Sequence, residues 1–324
     1  MDTVAETSRL RIAFFSPLRP VVSGISDYCE ELLPYLARGA DLTLFVDGYQ
    51  PSNPQIRDQF PIHDYHDFAA LHGGQPYDVC LYHMGNNASH TYIYEMLLHY
   101  PGVVVLHDCV LHHFLADLVD RTDNLAPYLD EFAEEGGYLH RRRVGLLWSP
   151  LDQFLYPGIQ RVAESSWGIL VHSASARQSV LRAVPSARVE VVRHHWGPQR
   201  SPYADLPAEE IKVELGFSPD TFLVVSPGIV TPSRRIPATL QVFAAFIQEY
   251  PHSRAVIAGP DHPHVQIQEI IHNLGLDGLV QVTGFTDVPT FQSYILAADV
   301  LVNLRYPLAG ETSGGLVRAL GMGK

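Results

Sequence analysis

The sequence is short of several things, and each shortage narrows what the protein does. Its three cysteines, Cys29, Cys80 and Cys109, are odd in number and form no CxxC pair, so they read as reduced thiols of a cytosolic protein rather than a disulfide framework. Positive charge is scarce. Lys and Arg number 22 against 35 Asp and Glu, for a formal net charge of −13. That argues against a nucleic-acid binder, which needs a positive footprint to neutralise phosphates. It leaves room for an anionic small ligand held in one local pocket. No apolar run approaches the ~20 residues of a membrane span, and the opening MDTVAETSRL is polar and acidic, unlike a secretory leader. Short-period repeats and low-complexity segments are absent too. The expectation is a soluble cytoplasmic chain. HRRR at 140–143, followed by VGLLW, reads either as a solvated helix face or as a weak peripheral contact with the inner face of an anionic membrane.

What is present is an ordinary globular composition, 46% hydrophobic and 18% charged, over 324 residues, enough for two domains. Short β-branched runs alternate with longer stretches of helical periodicity. RIAFFS (11–16), DLTLFVD (41–47), DVCLYHMG (78–85), GVVVLHD (102–108), WGILVHS (167–173) and RVEVVRH (188–194) are nearly continuous apolar runs. Strands covered on both faces of a parallel sheet read this way. Between the first two, Ile25, Tyr28, Leu32 and Leu36 keep helical spacing behind Ser23, a candidate N-cap. GPQRSPYADLPAEE then reads as a linker. After it the alternation restarts with TFLVVSPG (221–228), SRAVIAG (253–259), LVQVTGF (279–285) and ADVLVNL (298–304), and helices are expected near 237–249, 264–274 and 288–297. Two βαβα runs imply an α/β fold of two Rossmann-like, doubly wound parallel-sheet domains, 1–197 and 198–324, facing across a cleft.

Ligand contacts in such folds come from the loops after the strands. SPLRPVVSGIS (16–26) brings Gly24 to a helix start, where backbone N–H groups can meet an anionic group or simply make a tight turn. His107-Asp108, followed by Cys109 and His112-His113, reads as a ligand-contacting strand end. A metal set of Asp108 and His112 at helical i, i+4 spacing is the rival reading. In SPGIVTPSRRIPATL (226–240), Gly228 follows a strand and Arg234 and Arg235 precede a helix, a setting for a diphosphate. Phe285 in VTGFTD either shields a base or packs under its loop. In GETSGG (310–315), Glu311 stands before Thr312, Ser313 and Gly314. The carboxylate either accepts from sugar hydroxyls or serves the helix that follows.

Taken in order, these loops resemble glycosyltransferase family 4, retaining enzymes of the GT-B fold, over about Arg11 to Lys324. SPLRPVVSGISDYCEELLPYLA is similar to the family's glycine loop, GVVVLHD to the strand carrying its active-site His, WGILVHSASARQSVL to the segment leading towards the interdomain crossover, SPGIVTPSRR to its diphosphate loop, and ADVLVN with GETSGGLVRAL to its E-x7-E region. The resemblance implies an N-terminal acceptor-binding domain, with Asp27 and Asp108 towards the acceptor, and a C-terminal domain binding a nucleotide-sugar donor. His107, Glu311 and Arg234 are then the catalytic set, with Gly24, Gly228, Arg235, Phe285, Thr312, Ser313, Gly314 and Arg318 around the donor. The glycosyl group moves with retention to a glycan, lipid or small-molecule acceptor, no cofactor or metal is expected, and domain closure assembles the site. The chain departs from the family where Arg commonly follows the Gly, which here is Ile229. Arg234 stands at the family Lys. The second Glu of E-x7-E falls on Ala319, with Arg318 beside it. Those departures keep a non-catalytic nucleotide-sugar or glycan-binding protein as the alternative. A metal-dependent phosphohydrolase on His107, Asp108, His112 and His113 and a nucleotide-sugar epimerase rank below it. Four strands in the second half, where the strand order 3-2-1-4-5-6 needs two more beside the fourth, give the expectation of a C-terminally truncated chain with an incomplete second domain; the alternative is that something else, such as a second copy in a dimer, covers the open edge.

Overall fold

The computed structural model describes residues 9–122, 126, 128–130, 133, 157–197, 201–261 and 265–324. HRRR at 140–143 lies outside the described residues, and the expected membrane contact with it. The chain divides into two compact units. Unit 1 is Met1–His195 with Ala309–Thr312, and unit 2 is Trp196–Leu308 with Ser313–Lys324.

Unit 1 runs β1 (Leu10–Phe15), α1 (Gly24–Leu36), β2 (Ala40–Val46), α2 (Pro54–Gln59), β3 (Ile62–Asp64), α3 (Phe68–Gly74), β4 (Val79–Met84), α4 (Thr91–His99), β5 (Val103–Leu106), α5 (His112–Thr122), α6 (Gln160–Glu164), β6 (Gly168–Val171), α7 (Ala174–Ala183) and β7 (Val189–Val191). The strands form one parallel sheet in the order β3-β2-β1-β4-β5-β6-β7. Successive side chains of a strand point to opposite faces, and both faces here are covered. Phe14 and Phe15 are adjacent and both wholly buried. Phe15 packs with Phe45, Phe68 and Tyr82 on one face, and Phe14 with Leu33 and Leu44 on the other. That double burial is why the strands read as unbroken apolar runs. Ser23 caps α1 as expected, its hydroxyl accepting from Ile25 N–H at 3.1 Å.

Unit 2 runs α8 (Ala208–Glu214), β8 (Phe222–Pro227), α9 (Ile236–Glu249), β9 (Ser253–Ala258), α10 (Ile267–Asn273), β10 (Val280–Val282), α11 (Val288–Ala297), β11 (Val300–Leu301) and α12 (Gly314–Gly321). Its four strands are parallel in the order β10-β9-β8-β11. The segment read as a linker is packed. The hydroxyls of Ser201 and Ser293 are 2.8 Å apart, and Tyr203 joins the core around Leu223, Val225 and Ala297. α8 begins just past Pro207 and is held by the buried Lys212, whose Nζ stands 2.7 Å from Asp299.

The α/β class of two doubly wound parallel sheets is therefore observed. In each unit the strand order reverses between the first strand and the fourth, β1 beside β4 and β8 beside β11. Crevices at the carboxyl ends of strands open at such reversals.

Candidate functional site

In unit 2 the reversal brings a cation and a helix N-terminus to one strand end. β8 finishes at Pro227, and Gly228 follows with φ +108, a conformation that suits glycine. The Arg234 side chain folds back over this turn, and its guanidinium donates to the Pro227 carbonyl. It is buried, 8% exposed. A side chain on Gly228 would strike that guanidinium. From the other side of the reversal, α12 starts against the same strand end. A Cβ on Gly315 would stand 3.2 Å from Pro227. Ser313 caps this helix, accepting from Leu316 N–H at 3.3 Å and donating to Asn303 Oδ1 at 3.1 Å. The first amides of a helix have no carbonyl partner within it, and its dipole is positive there. Guanidinium, Gly-rich turn and helix start together form a setting for a phosphate group.

The other donor-side residues spread around this point. Arg235 is exposed in the left-handed conformation, φ 57, just before α9. Ile229 and Phe285, past the ends of β8 and β10, are 44% and 47% exposed, apolar surface on the carboxyl side of the sheet. Arg318 is buried on α12, beside the buried Ala319. Glu311 and Thr312 fall in unit 1. Glu311 turns back on its own loop, Oε2 accepting from Ala309 N–H at 2.9 Å, so Ser313 rather than Glu311 caps the helix. The preceding carbonyl, Ala309 O, accepts from Cys109 N–H at 2.9 Å.

In unit 1, Gly24 opens α1 with free space where a Cβ would stand. Asp27 pairs with Arg19, Oδ1 to Nη2 at 2.6 Å. Asp108 accepts from Asn86 N–H at 3.0 Å. It precedes α5, which starts at His112, so the helical i, i+4 pair expected of Asp108 and His112 does not form. His112 Nε2 lies 3.2 Å from the Tyr128 hydroxyl instead, and His113 is exposed. Among the described residues the one group of three metal-capable side chains is Cys29, His83 and His107.

His107 belongs to a row that the sequence reading did not assemble. Four neighbouring parallel strands each carry a histidine near or just past the carboxyl end: His83 in β4, His107 after β5, His172 after β6 and His194 after β7. Val105 pairs with Leu170, so His107 and His172, two residues on from each, come level. His83 Nδ1 is 3.1 Å from His107 Nε2, His107 Nδ1 is 3.3 Å from His172 Nε2, and His172 Nδ1 is 2.9 Å from the Val192 carbonyl. The carbonyl only accepts, which fixes the order: His172 donates to Val192, His107 to His172, and His83 to His107. Among the described residues His83 Nε2 is buried without a hydrogen-bond partner. Tyr28 of α1 packs its ring among His107, His172, His194 and His195, with centroids 4.2–5.2 Å away. Burial favours the neutral form of His83, His107 and His172. It lowers His83 to about 3, and it holds His107 well below and His172 below the usual histidine value. Burial likewise pushes the Cys29 thiol well up. The signal was in the text, since LYHMG, VVLHD, ILVHS and VVRHH all place a histidine at a strand end.

No family model matches the chain, and no curated protein matches it in sequence. Solved structures match it in fold. HepE of Anabaena, in a structure with UDP and glucose, superposes with a TM-score of 0.60 at 16% identity, covering 98% of this chain and 79% of that one. Sucrose-phosphate synthase of Thermosynechococcus elongatus gives 0.62 at 13%, covering 98% and 80%. WaaG, a glycosyltransferase involved in lipopolysaccharide biosynthesis, gives 0.59 at 14%, covering 96% and 79%. At such identities the likeness is one of fold, and the fold is GT-B, two Rossmann-like parallel-sheet units.

Proposed function

We propose that the chain is a glycosyltransferase that binds a nucleotide-sugar donor through unit 2 and transfers its glycosyl group with retention to a hydroxyl-bearing acceptor. The observation that carries the reading is the convergence on Pro227: the Arg234 guanidinium from one side and the N-terminus of α12 from the other. A diphosphate is the leaving group whose charge such a pair stabilises. HepE, of the same fold, has been crystallised with UDP and with UDP-glucose. In the proposed step the bond from the anomeric carbon to the diphosphate oxygen breaks, a bond to the acceptor oxygen forms on the same face, and the acceptor proton passes to the departing phosphate. Arg234 and the helix amides supply the positive charge, so no metal is proposed at the diphosphate. Arg235 adds long-range attraction, and Ile229 and Phe285 offer apolar cover for a base. Glu311 is proposed to accept from sugar hydroxyls, Gly24 to serve the donor, and Asp27 and Asp108 to serve the acceptor.

A second reading, donor binding without transfer, has its own support. Asp27 is tied to Arg19, both nitrogens of His107 are engaged, and Glu311 accepts from its own loop. Calorimetric titration with a panel of nucleotide sugars, followed by a turnover assay, separates the two. The transferase reading expects binding, release of nucleoside diphosphate and a product that keeps the donor's anomeric configuration. Tight binding without turnover across many acceptors leaves only the binding protein, and no binding at all removes both.

A further inference from the structure

We propose that Cys29, His83 and His107 form a metal site in unit 1, taking a soft divalent cation of the zinc class through one sulfur and two imidazole nitrogens. This site is separate from donor binding and does not rest on it. One ligand atom from each residue lies within 4.8 Å of the other two, and all three side chains are buried. They come from three elements, α1, β4 and the end of β5, so the packed sheet and not a loop sets their spacing. The two facing nitrogens, His83 Nδ1 and His107 Nε2, stand 3.1 Å apart. Two imidazole nitrogens bound to zinc at ~2.0–2.1 Å with a tetrahedral angle stand about 3.3 Å apart, so a cation that displaces the proton held between them enters with little movement of the rings.

The surroundings fit a metal as well. Ligating histidines ordinarily donate their second ring N–H to a fixed acceptor, which sets the tautomer. His107 does so: Nδ1 donates to His172, which is anchored in turn on the Val192 carbonyl. The His107 Nε2 lone pair, which accepts from His83 Nδ1–H in the metal-free chain, meets the cation once that proton is displaced. The Ser16 hydroxyl lies 3.0 Å from Cys29 Sγ, placed to donate to a thiolate. One thiolate and two imidazoles select zinc or a similar borderline-to-soft ion over magnesium or calcium, which prefer oxygen. Three protein ligands leave the fourth tetrahedral position for a water or another small oxygen ligand.

The test uses the full chain, stripped with a chelator and titrated with cobalt(II). The expected result is about one cobalt per chain, a thiolate-to-cobalt charge-transfer band, and loss of that band on adding zinc. Cys29→Ser and His83→Ala, checked for folding by circular dichroism, lose the band. His113→Ala, an exposed histidine outside the cluster, and Cys80→Ala keep it. A folded Cys29→Ser chain that retains the band overturns the proposal, as does a wild-type chain that shows none. Should both ligand variants fail to fold, anomalous diffraction at the zinc edge on wild-type crystals decides. A peak bonded to Cys29 Sγ supports the site, and a peak elsewhere or no peak overturns it.

Discussion

Arg234 meets backbone before it meets any ligand. Its guanidinium closes over the Pro227 carbonyl and the Gly228 turn, so it is held in place rather than recruited. Arg234→Gln is expected to weaken binding of a nucleoside diphosphate such as UDP by about 10- to 150-fold, the worth of one charge-assisted hydrogen bond of about 1.5–3 kcal/mol. Calorimetric titration measures it, and a change under about threefold would remove Arg234 from the site. Gly228→Ala reaches the same point from the backbone. With φ at +108 and no room beside the guanidinium, the alanine should cost about 1–3 kcal/mol in urea unfolding and lower the same affinity. Histidines away from the row give a pH dependence. Burial lowers His90 and His112 from 6.5 to about 4. As pH falls below 6.5 the unfolded chain takes up protons that the folded chain refuses, so stability present near neutrality is lost progressively towards pH 4, each group contributing up to about 1.4 kcal/mol per pH unit. Urea titrations across that range should show the decline, and His90→Gln should make it shallower. An equally steep decline in that variant would contradict the assignment.

α8 shows what an element needs in order to be legible. It has seven residues, it follows a proline-rich stretch, and it buries only Ile211 and Lys212, with no apolar stripe along one face. Lys212 reaches Asp299, whose Oδ2 also accepts from Leu223 N–H at 2.7 Å, so helix, β8 and the start of β11 share one carboxylate. Lys212→Met should destabilise unit 2 by about 1.5–3 kcal/mol. The Asp299 side chain is 31% exposed, which keeps the cost below that of a wholly buried broken pair. Urea unfolding checks this, and an unchanged midpoint would mean that α8 is held by its apolar contacts alone. The long runs were readable for the opposite reason. RIAFFS and TFLVVSPG are apolar on both faces because the sheet is covered on both faces, and β1 and β8 lie within a residue of where they were expected. β3, three residues that are all half-buried, carries no such pattern. At the candidate site, Arg234 and Gly228 were visible as a turn chemistry following a strand. The histidine row was not, because neighbouring strands of a parallel sheet are far apart in the text, and only their register brings four strand-end histidines together. Glu311 could be placed on a loop but not aimed, since nothing in GETSGG says that its carboxylate turns back to Ala309.

Each unit has its own buried cores, Phe14, Phe15 and their neighbours in one, Leu223, Val225, Leu240 and Ile257 among those in the other. A ligand that binds unit 2 alone should stabilise that unit first. At a hundredfold excess over its dissociation constant, a nucleoside diphosphate adds about 2.7 kcal/mol to the folded state that binds it. Differential scanning calorimetry with hydrogen exchange is expected to show the gain in β8, β9 and α12. Protection confined to unit 1 would place the anion elsewhere. The net charge of −13 works against any anionic ligand at long range, so association should quicken as salt rises and screens that field, until the salt also weakens the local contact.

The meeting of β8 and α12 at Pro227 also sets a time order. β8 is the first strand of unit 2 to leave the ribosome, and α12 follows every other described element of that unit. The phosphate setting therefore does not exist in a partly made or partly folded unit 2, however well β8, β9 and their helices have formed. A fluorescent nucleoside diphosphate would then act as a clock for synthesis and refolding, silent until α12 docks.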